Sequence, residues 1–511
     1  MSIREQWRQM KNKKRQKVHE DHFHQTMQSV PARPLTTDLK ENIQMISQIL
    51  GSTDDLAIRL IRLKESGKSA AVLHLSGMAK KEDISEFIVK YLTTSIHESE
   101  EPAIHEIERG ADLRHVIRSI LSGNAILLIE GKREAYIAST PGWDRRGVEE
   151  PRVEAVVRGP RDGFTETLTV NAALIRFRLR DPNLRLRRLV VGERTQTAVN
   201  VMYLDGLADP GIVDEVIQRI QKIRVDGVLE SGYIEQFIED RTWSPFPQIQ
   251  NTERPDKVVA NLLEGKVAIL VEGTPFVLVA PAVFSQFYQS PEDYYERFYI
   301  SIFIRVIRFT SMMIALFLPS LYIAFSSFHP EMIPSKLVIA MAAGRSTVPF
   351  PSIVEAFIME ITIEILREAS VRLPGPIGPT IGIVGALVVG EAAVTAGLAS
   401  PIMVIIVALT TIGSFATPSY SAAISIRMLR FPMMIMAGIF GLYGIMLFLI
   451  LIVIHLSSIK SFGVPYMSPL SPIKIRDMRD LLVRLPLSRM RRRPSLFNPL
   501  DEVRMERREG P

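Results

Sequence analysis

One carboxylate stands inside an otherwise apolar run. Pro374–Pro401, PGPIGPTIGIVGALVVGEAAVTAGLASP, offers about twenty apolar or small residues after its prolines, enough to cross a bilayer core of roughly 30 Å. Glu391 lies within it. An ionisable group there costs about 2.5–3.5 kcal/mol by insertion scales, so it turns towards protein or water. Gly382, Gly385, Ala386, Gly390, Ala393 and Gly397 recur at close to helical spacing, which lets this helix approach its neighbours. Two readings stay open: a packing helix whose Glu391 pairs with a Ser, Thr or Arg next door, or a helix lining an ion path. A second group lies just upstream, in IVEAFIMEITIEILREASVRL. Glu355, Glu360, Glu364 and Glu368 sit on a strongly helical pattern, the last three at i, i+4, i+8 on one face. Such a helix lies at the membrane interface or faces a water-filled vestibule that attracts cations.

Other chemistry finds little support. Glu65-Ser66-Gly67-Lys68-Ser69 ends like a phosphate-binding loop, but Arg62 stands where the first glycine is required, and the preceding stretch reads as a helix rather than a strand. HExxH and GxSxG are missing. With no cysteine there is no disulfide scaffold, thiol catalysis or cysteine-held metal. No cofactor, metal or enzyme activity is expected.

Charge is unevenly distributed along the 511 residues. It crowds the first 297 and the last fifty or so, and is sparse between Phe298 and Leu456. This gives a soluble α/β block, an α-helical polytopic membrane block and a basic tail. Residues 1–38 form a polar arm whose basic run (Lys11, Lys13, Lys14, Arg15, Lys17) and histidines (His19, His22, His24) read as solvated. The N-terminus lacks an apolar core, so a cytoplasmic soluble block is expected. The net charge of +6, concentrated in arm and tail, suits an anionic membrane face better than nucleic acid.

Within the soluble block a pattern occurs twice. VMYLDGLADPGIVDEVIQRI at 201–220 matches VLHLSGMAKKEDISEFIVKY at 72–91, with Gly206 over Gly77. GKVAILVEGTPFVLVAP at 265–281 matches GNAILLIEGKREAYIAS at 123–139, with Gly265 over Gly123 and Gly273 over Gly131. Two related α/β subdomains are expected at 39–145 and 187–297, joined by a segment at 146–186. In that segment Ile175, Phe177 and Leu179 alternate with Arg176, Arg178 and Arg180, as in a half-buried strand with a basic outer face.

The membrane block, 298–457, shows four clear spans: Ile300–Phe328, Ile377–Ala399, Ile402–Ile426 and Pro432–Leu456. Arg305 and Arg308 are expected to snorkel to the inner face, and Arg427–Arg430 to form a short turn. Residues 335–373, broken by Pro349 and Pro351, read as re-entrant or interfacial helices. The tail at 458–511 is expected on the cytoplasmic side with the soluble block, so the number of crossings is even. That topology leaves Arg427 and Arg430 on the outer side, an unresolved conflict.

The segments EEPRVEAVVRGPRDGFTETLTVNAALIRFRLRDPNL, GERTQTAVNVMYLDG, SPFPQIQNTERPDKVVANLLEGKVAILVEGTPFVLVAP and SPEDYYERFYISIFIRVIRF resemble, in this order, the A subunits of the GerA family of spore germinant receptors. The likeness runs from about residue 38 to 500, and SpoVAF-type paralogues share it. It marks Arg158, Gly159, Pro160, Arg161 and Gly163 as a family motif. It implies an A subunit in the spore inner membrane, partnered by a B subunit that binds the germinant and a C-subunit lipoprotein. It further implies a ring-shaped homo-oligomer, in contact with membrane lipids, that conducts monovalent cations. Val388, Val389 and Glu391 would then lie near the constriction, and Glu355, Glu360 and Glu364 would draw cations in. The rivals are a non-conducting, signal-transmitting scaffold and a secondary transporter, for which inverted repeats in the membrane block are expected and not seen.

Overall fold

The computed structural model describes residues 30–51, 53–63, 67–85, 107–142, 149–371, 385, 388–481 and 483–505. The first helix, α1 (Leu39–Leu50), starts where the Asp38 carboxylate accepts the Lys40 and Glu41 N–H groups, and stops at Gly51 in the left-handed region. Then come β1 (Leu56–Arg62), β2 (Ser69–Leu75), β3 (Ile107–Gly110), α2 (Leu113–Leu121), β4 (Ala125–Ile129) and β5 (Ala135–Ala138). Their sheet has the order β1-β2-β4-β5-β3 and is antiparallel throughout. The second unit contains α3 (Leu168–Arg178), β6 (Leu184–Val191), β7 (Thr197–Leu204), α4 (Pro210–Gln221) and α5 (Ser231–Ile238). It continues with β8 (Gln250–Thr252), α6 (Pro255–Leu262), β9 (Val267–Val271) and β10 (Val277–Ala280). Its sheet order, β6-β7-β9-β10-β8, repeats the first.

The duplication extends to single residues. The aligned glycines have nearly equal positive φ: 81° and 75° at Gly77 and Gly206, 92° and 87° at Gly123 and Gly265, 83° and 84° at Gly131 and Gly273. A side chain disfavours that region, so glycine is needed in both copies. Ahead of each first helix the same clasp recurs. The Asn42 amide accepts the Thr36 N–H at 2.9 Å and donates to the Thr36 carbonyl at 2.8 Å. Asn171 does the same to Thr165, at 2.8 and 2.6 Å.

This clasp corrects the reading of the joining segment. Residues 168–178 are helical, the counterpart of α1, and the expected boundary at 187 falls inside β6. Arg176 is not on a basic outer face either. It is 2% exposed and forms a bidentate pair with Asp55 of the first unit, also donating to the Thr53 hydroxyl and the Leu184 carbonyl. Alternation misled because α3 is buried on most sides, which erases the helical period. The stretch before Gly67 is also corrected. It is strand β1, paired with β2 in a hairpin, so the missing glycine, and a strand where a phosphate loop leads into a helix, argue against such a loop there.

A short helix, α7 (Glu292–Tyr295), leads into α8 (Phe298–Ser327). The bundle continues with α9 (Ser335–Arg345), α10 (Ser352–Val371), a helical segment at 388–395, α11 (Pro401–Phe415) and α12 (Tyr420–Ser458). Both α8 and α12 are long and apolar enough to cross a membrane. α12 is not one rod. Ser425 donates to the Pro245 carbonyl, while His455 meets the neighbouring Ser244 hydroxyl at 2.9 Å. Thirty residues of straight helix span about 45 Å, so both contacts demand a reversal between them. It occurs at Gly441 (φ 59°, ψ −139°), beside Phe328 and His329 at the far end of α8. The two legs of α12 are therefore antiparallel.

The passes alternate in direction. α8 leaves the soluble block. α10 returns, with Ser352 bonded to Ser327 at the far end and Arg367 at 3.2 Å from Ser414 near the other. The 388–395 segment goes out again, and Gly397 ends beside Thr347. α11 comes back from Ser400, which bonds Tyr322, to Gly413 against Ser311. The legs of α12 make the last two passes. Among the described residues, the conflict over Arg427 and Arg430 disappears. They do not form a turn; they lie inside the first leg, and the turns are at 416–419 and Gly441. α10 is likewise no interfacial helix, since it packs against α8, α11 and α12. The first half of the expected span at 377–399 lies outside the described residues, apart from Gly385.

The tail is folded rather than loose. β11 (Lys460–Ser461) and β12 (Val464–Pro465) form a hairpin, and Phe462, Val464, Leu496 and Phe497 complete the core of the second unit around Ile269 and Val216.

Candidate functional site

A chain of polar groups runs along α10 through the apolar bundle. Nearest the far end, the Glu355 carboxylate accepts from the Ser400 N–H at 2.7 Å and its hydroxyl at 2.6 Å. The Arg345 guanidinium lies at 3.6 Å and the Tyr322 hydroxyl at 3.5 Å. One turn on, Glu360 is ion-paired with Arg430, which also donates to the Ala315 carbonyl of α8 at 2.8 Å. Glu360 is 0% exposed and Arg430 1%. Next, Glu364 bridges Arg367 at 3.1 Å and Arg427 at 3.3 Å. In a low-dielectric bundle each such charge is tolerated only with its partner. These three glutamates therefore sew α10 to α9, α11 and α12; two of them have no contact with solvent. Sequence reading singled out the acids and missed the bases. The available signal was Arg427 and Arg430, at i, i+3 in an apolar leg, able to face Glu364 and Glu360 at i, i+4.

Glu391 is different. It is exposed and has no ion-pair partner among the described residues. Val388, at 57% exposure, Ala392, Thr395 and Ala396 share its open side, while Gly390 and Ala393 face inward. Val389 is half-buried. Close approach of Gly390 to Val404 of α11 holds the segment against the bundle. The chain thus presents a carboxylate on a strip of small residues, at membrane depth, facing out of the subunit.

Where α8 meets the soluble block, a second ionic cluster forms. Asp293 receives Arg305 at 3.0 Å and Arg308 at 2.7 Å, and Asp480 of the tail receives Arg305 at 2.8 Å and the Tyr294 hydroxyl at 2.6 Å. Arg484 reaches the Asp293 carbonyl. Arg305 is 3% exposed, so it does not snorkel to headgroups; it bolts the base of the first membrane helix to the tail.

The family of Bacillus/Clostridium GerA spore germination proteins matches residues 44–496. The chain belongs to the GerA family. It is 45% identical to the uncharacterized membrane protein YfkQ of Bacillus subtilis (strain 168), over 94% of this chain and 95% of that one. It is 44% identical to spore germination protein KA of the same organism, covering 93% and 90%. Spore germination protein GerLA of Bacillus cereus is 41% identical, covering 92% and 97%. Among solved structures, the N-terminal domain of the A subunit of the Bacillus megaterium germinant receptor GerK3 is 30% identical, with a TM-score of 0.40, covering 50% of this chain and 98% of that one.

The segment Arg158–Gly163 forms a strap between these parts. The Glu292 carboxylate of α7 accepts the Val157 and Arg158 N–H groups at 3.0 and 3.2 Å, and Arg158 reaches Glu296 at 3.6 Å. At Gly159 (φ 146°) a Cβ would lie 2.8 Å from the Tyr295 ring. The Pro160 carbonyl accepts Arg254 at 2.9 Å, and Arg254 is paired with Asp256 at the start of α6. Asp162 is paired with Arg178 of α3, Arg161 reaches Glu150 at 3.4 Å on the surface, and the Gly163 N–H donates to Glu149 at 2.8 Å. The strap ties the second α/β unit to the entry of α8.

Proposed function

We propose that this GerA-family chain is the A subunit of a nutrient germinant receptor in the spore inner membrane, where it assembles as a homo-oligomer that conducts monovalent cations. The soluble block and the tail are cytoplasmic in this reading, and the B subunit and C-subunit lipoprotein supply germinant recognition. The supporting observation is Glu391. Facing lipid, its carboxylate would cost about 2.5–3.5 kcal/mol, whereas Glu355, Glu360 and Glu364 are matched to arginine or serine within the chain. Copies of the chain arranged around a central axis would turn Val388, Glu391 and Thr395 towards shared water instead. Glu355, Glu360 and Glu364 then hold the pore-facing segment in place, with Glu364, at 28% exposure, the one open enough to influence entering cations. The strap at Arg158–Gly163 and the Asp293–Arg305–Asp480 cluster carry movement from the soluble block to α8.

A scaffold reading keeps the assembly and drops the conduction; it is favoured by the close pairing of the acids along α10. Potassium release from loaded liposomes separates the two. With the partner subunits present, germinant should trigger release, and Glu391→Gln should change its rate or cation selectivity at least several-fold. Normal assembly with no release would leave the scaffold.

A further inference from the structure

Between the folded tail and the end of α6 lies a cleft of about 570 Å³. Seven arginines and three carboxylates line it. Three arginines are matched: Arg476 to Glu502 at 2.9 Å, Arg493 to Asp501 at 2.8 Å and Arg504 to Glu264 at 3.4 Å. The carboxylates are engaged as well. Asp477 accepts the N–H and hydroxyl of Ser495, and Asp480 holds Arg305 and Tyr294. Arg479, Arg489, Arg491 and Arg492 remain, exposed and without an ion-pair partner among the described residues.

A solvated basic tail would spread such charges apart. Here the fold fixes them: the Arg493 side chain donates to the Leu263 carbonyl at 2.8 Å, the Leu500 N–H donates to the Leu207 carbonyl at 2.9 Å, and Phe497 is buried in the core of the second unit. Four guanidinium groups without an ion-pair partner among the described residues are thus held around one concavity, against one lining carboxylate, Asp477, that is bonded to neutral donors. Planar guanidinium forks match the oxygens of phosphate in geometry and charge.

We propose that this cleft binds a phosphate-bearing anion. Asp480, which both lines the cleft and grips Arg305 of α8, places the ligand one side chain from the first membrane helix. Two sources share this chemistry, a soluble phosphate compound and the headgroup of an anionic lipid. The inference does not depend on the channel reading, because binding is measured without flux.

The full chain in nanodiscs of zwitterionic lipid is titrated with inorganic pyrophosphate by calorimetry. In a second arm, nanodiscs of increasing phosphatidylglycerol content are used and lipid retained after detergent extraction is counted by native mass spectrometry. The triple variant Arg479→Gln/Arg491→Gln/Arg492→Gln breaks no ion pair among the described residues and should keep the fold. Its binding should weaken at least tenfold in the arm that shows binding, and added salt should weaken the wild type. The control Arg59→Gln/Arg187→Gln, exposed arginines on the sheets, should bind as wild type. Pyrophosphate binding assigns a soluble ligand, and retention of phosphatidylglycerol alone assigns a headgroup. No binding in either arm, or equal weakening in the control, overturns the proposal.

Discussion

Glu360 and Arg430 show what a buried charge does when its partner is supplied by another helix. Neither touches solvent, so removing one strands the other. Glu360→Gln should lower stability by about 3–5 kcal/mol, and Glu360→Leu combined with Arg430→Met should recover most of the loss. Thermal unfolding in detergent reads both. A different titration belongs to the soluble block. Burial pushes the Glu235 carboxyl up to about 8, and the nearby Glu239 and Glu230 carboxylates add to it. The folded chain then keeps a proton that the unfolded chain releases near pH 4.5, so stability falls as pH rises from about 4.5 to 8. Glu235→Gln should flatten part of that slope; Glu239, whose carboxyl burial also raises, keeps its own share. Melting temperatures taken across the window check it. At this scale the acids of the bundle were legible because carboxylates are conspicuous in apolar sequence. Their partners were not, because an arginine near a helix end and an arginine inside a helix look alike until the neighbouring helix is placed.

At the scale of elements, the outcome turned on what punctuates a helix. The repeated glycines gave away both α/β units, since a turn with positive φ leaves a residue-specific mark. The α12 reversal left Gly441, one of three glycines with Gly438 and Gly444 in an apolar run, whereas the charged Arg427–Arg430 offered a more obvious place to turn. The reversal can be tested directly, because the chain has no cysteine. Tyr443→Cys, at an exposed position just past Gly441, should react with an impermeant maleimide from the side opposite the soluble block. Lys460→Cys should react only from the soluble-block side. Labelling of both from one side would refute the hairpin. Gly441→Ala should reduce the yield of folded protein, because φ 59° with ψ −139° is closed to other residues and a Cβ would meet Phe328 at 3.0 Å.

On the scale of the whole molecule, the α/β units, the helical bundle and the tail are not independent. The strap ties the second α/β unit to α7, the Asp293–Arg305–Asp480 cluster ties α8 to the tail, and the tail fills the core of that same unit. A chain ended after Ser458 should therefore lose cooperative unfolding of the soluble block although every soluble-block strand from β1 to β10 is still present. Limited proteolysis should find new cuts around β9 and β10. Sequence could not show this return, since a basic tail and a basic tail with two buried phenylalanines have the same composition. The arrangement also sets an order of manufacture. The second α/β unit leaves the ribosome before any membrane pass is made, yet Phe462 and Phe497 emerge only after the last. It must wait, incomplete, while the bundle is inserted. A bundle that fails to return the chain to its starting side would leave that unit open, a built-in check that links a finished α/β half to a correctly threaded membrane half.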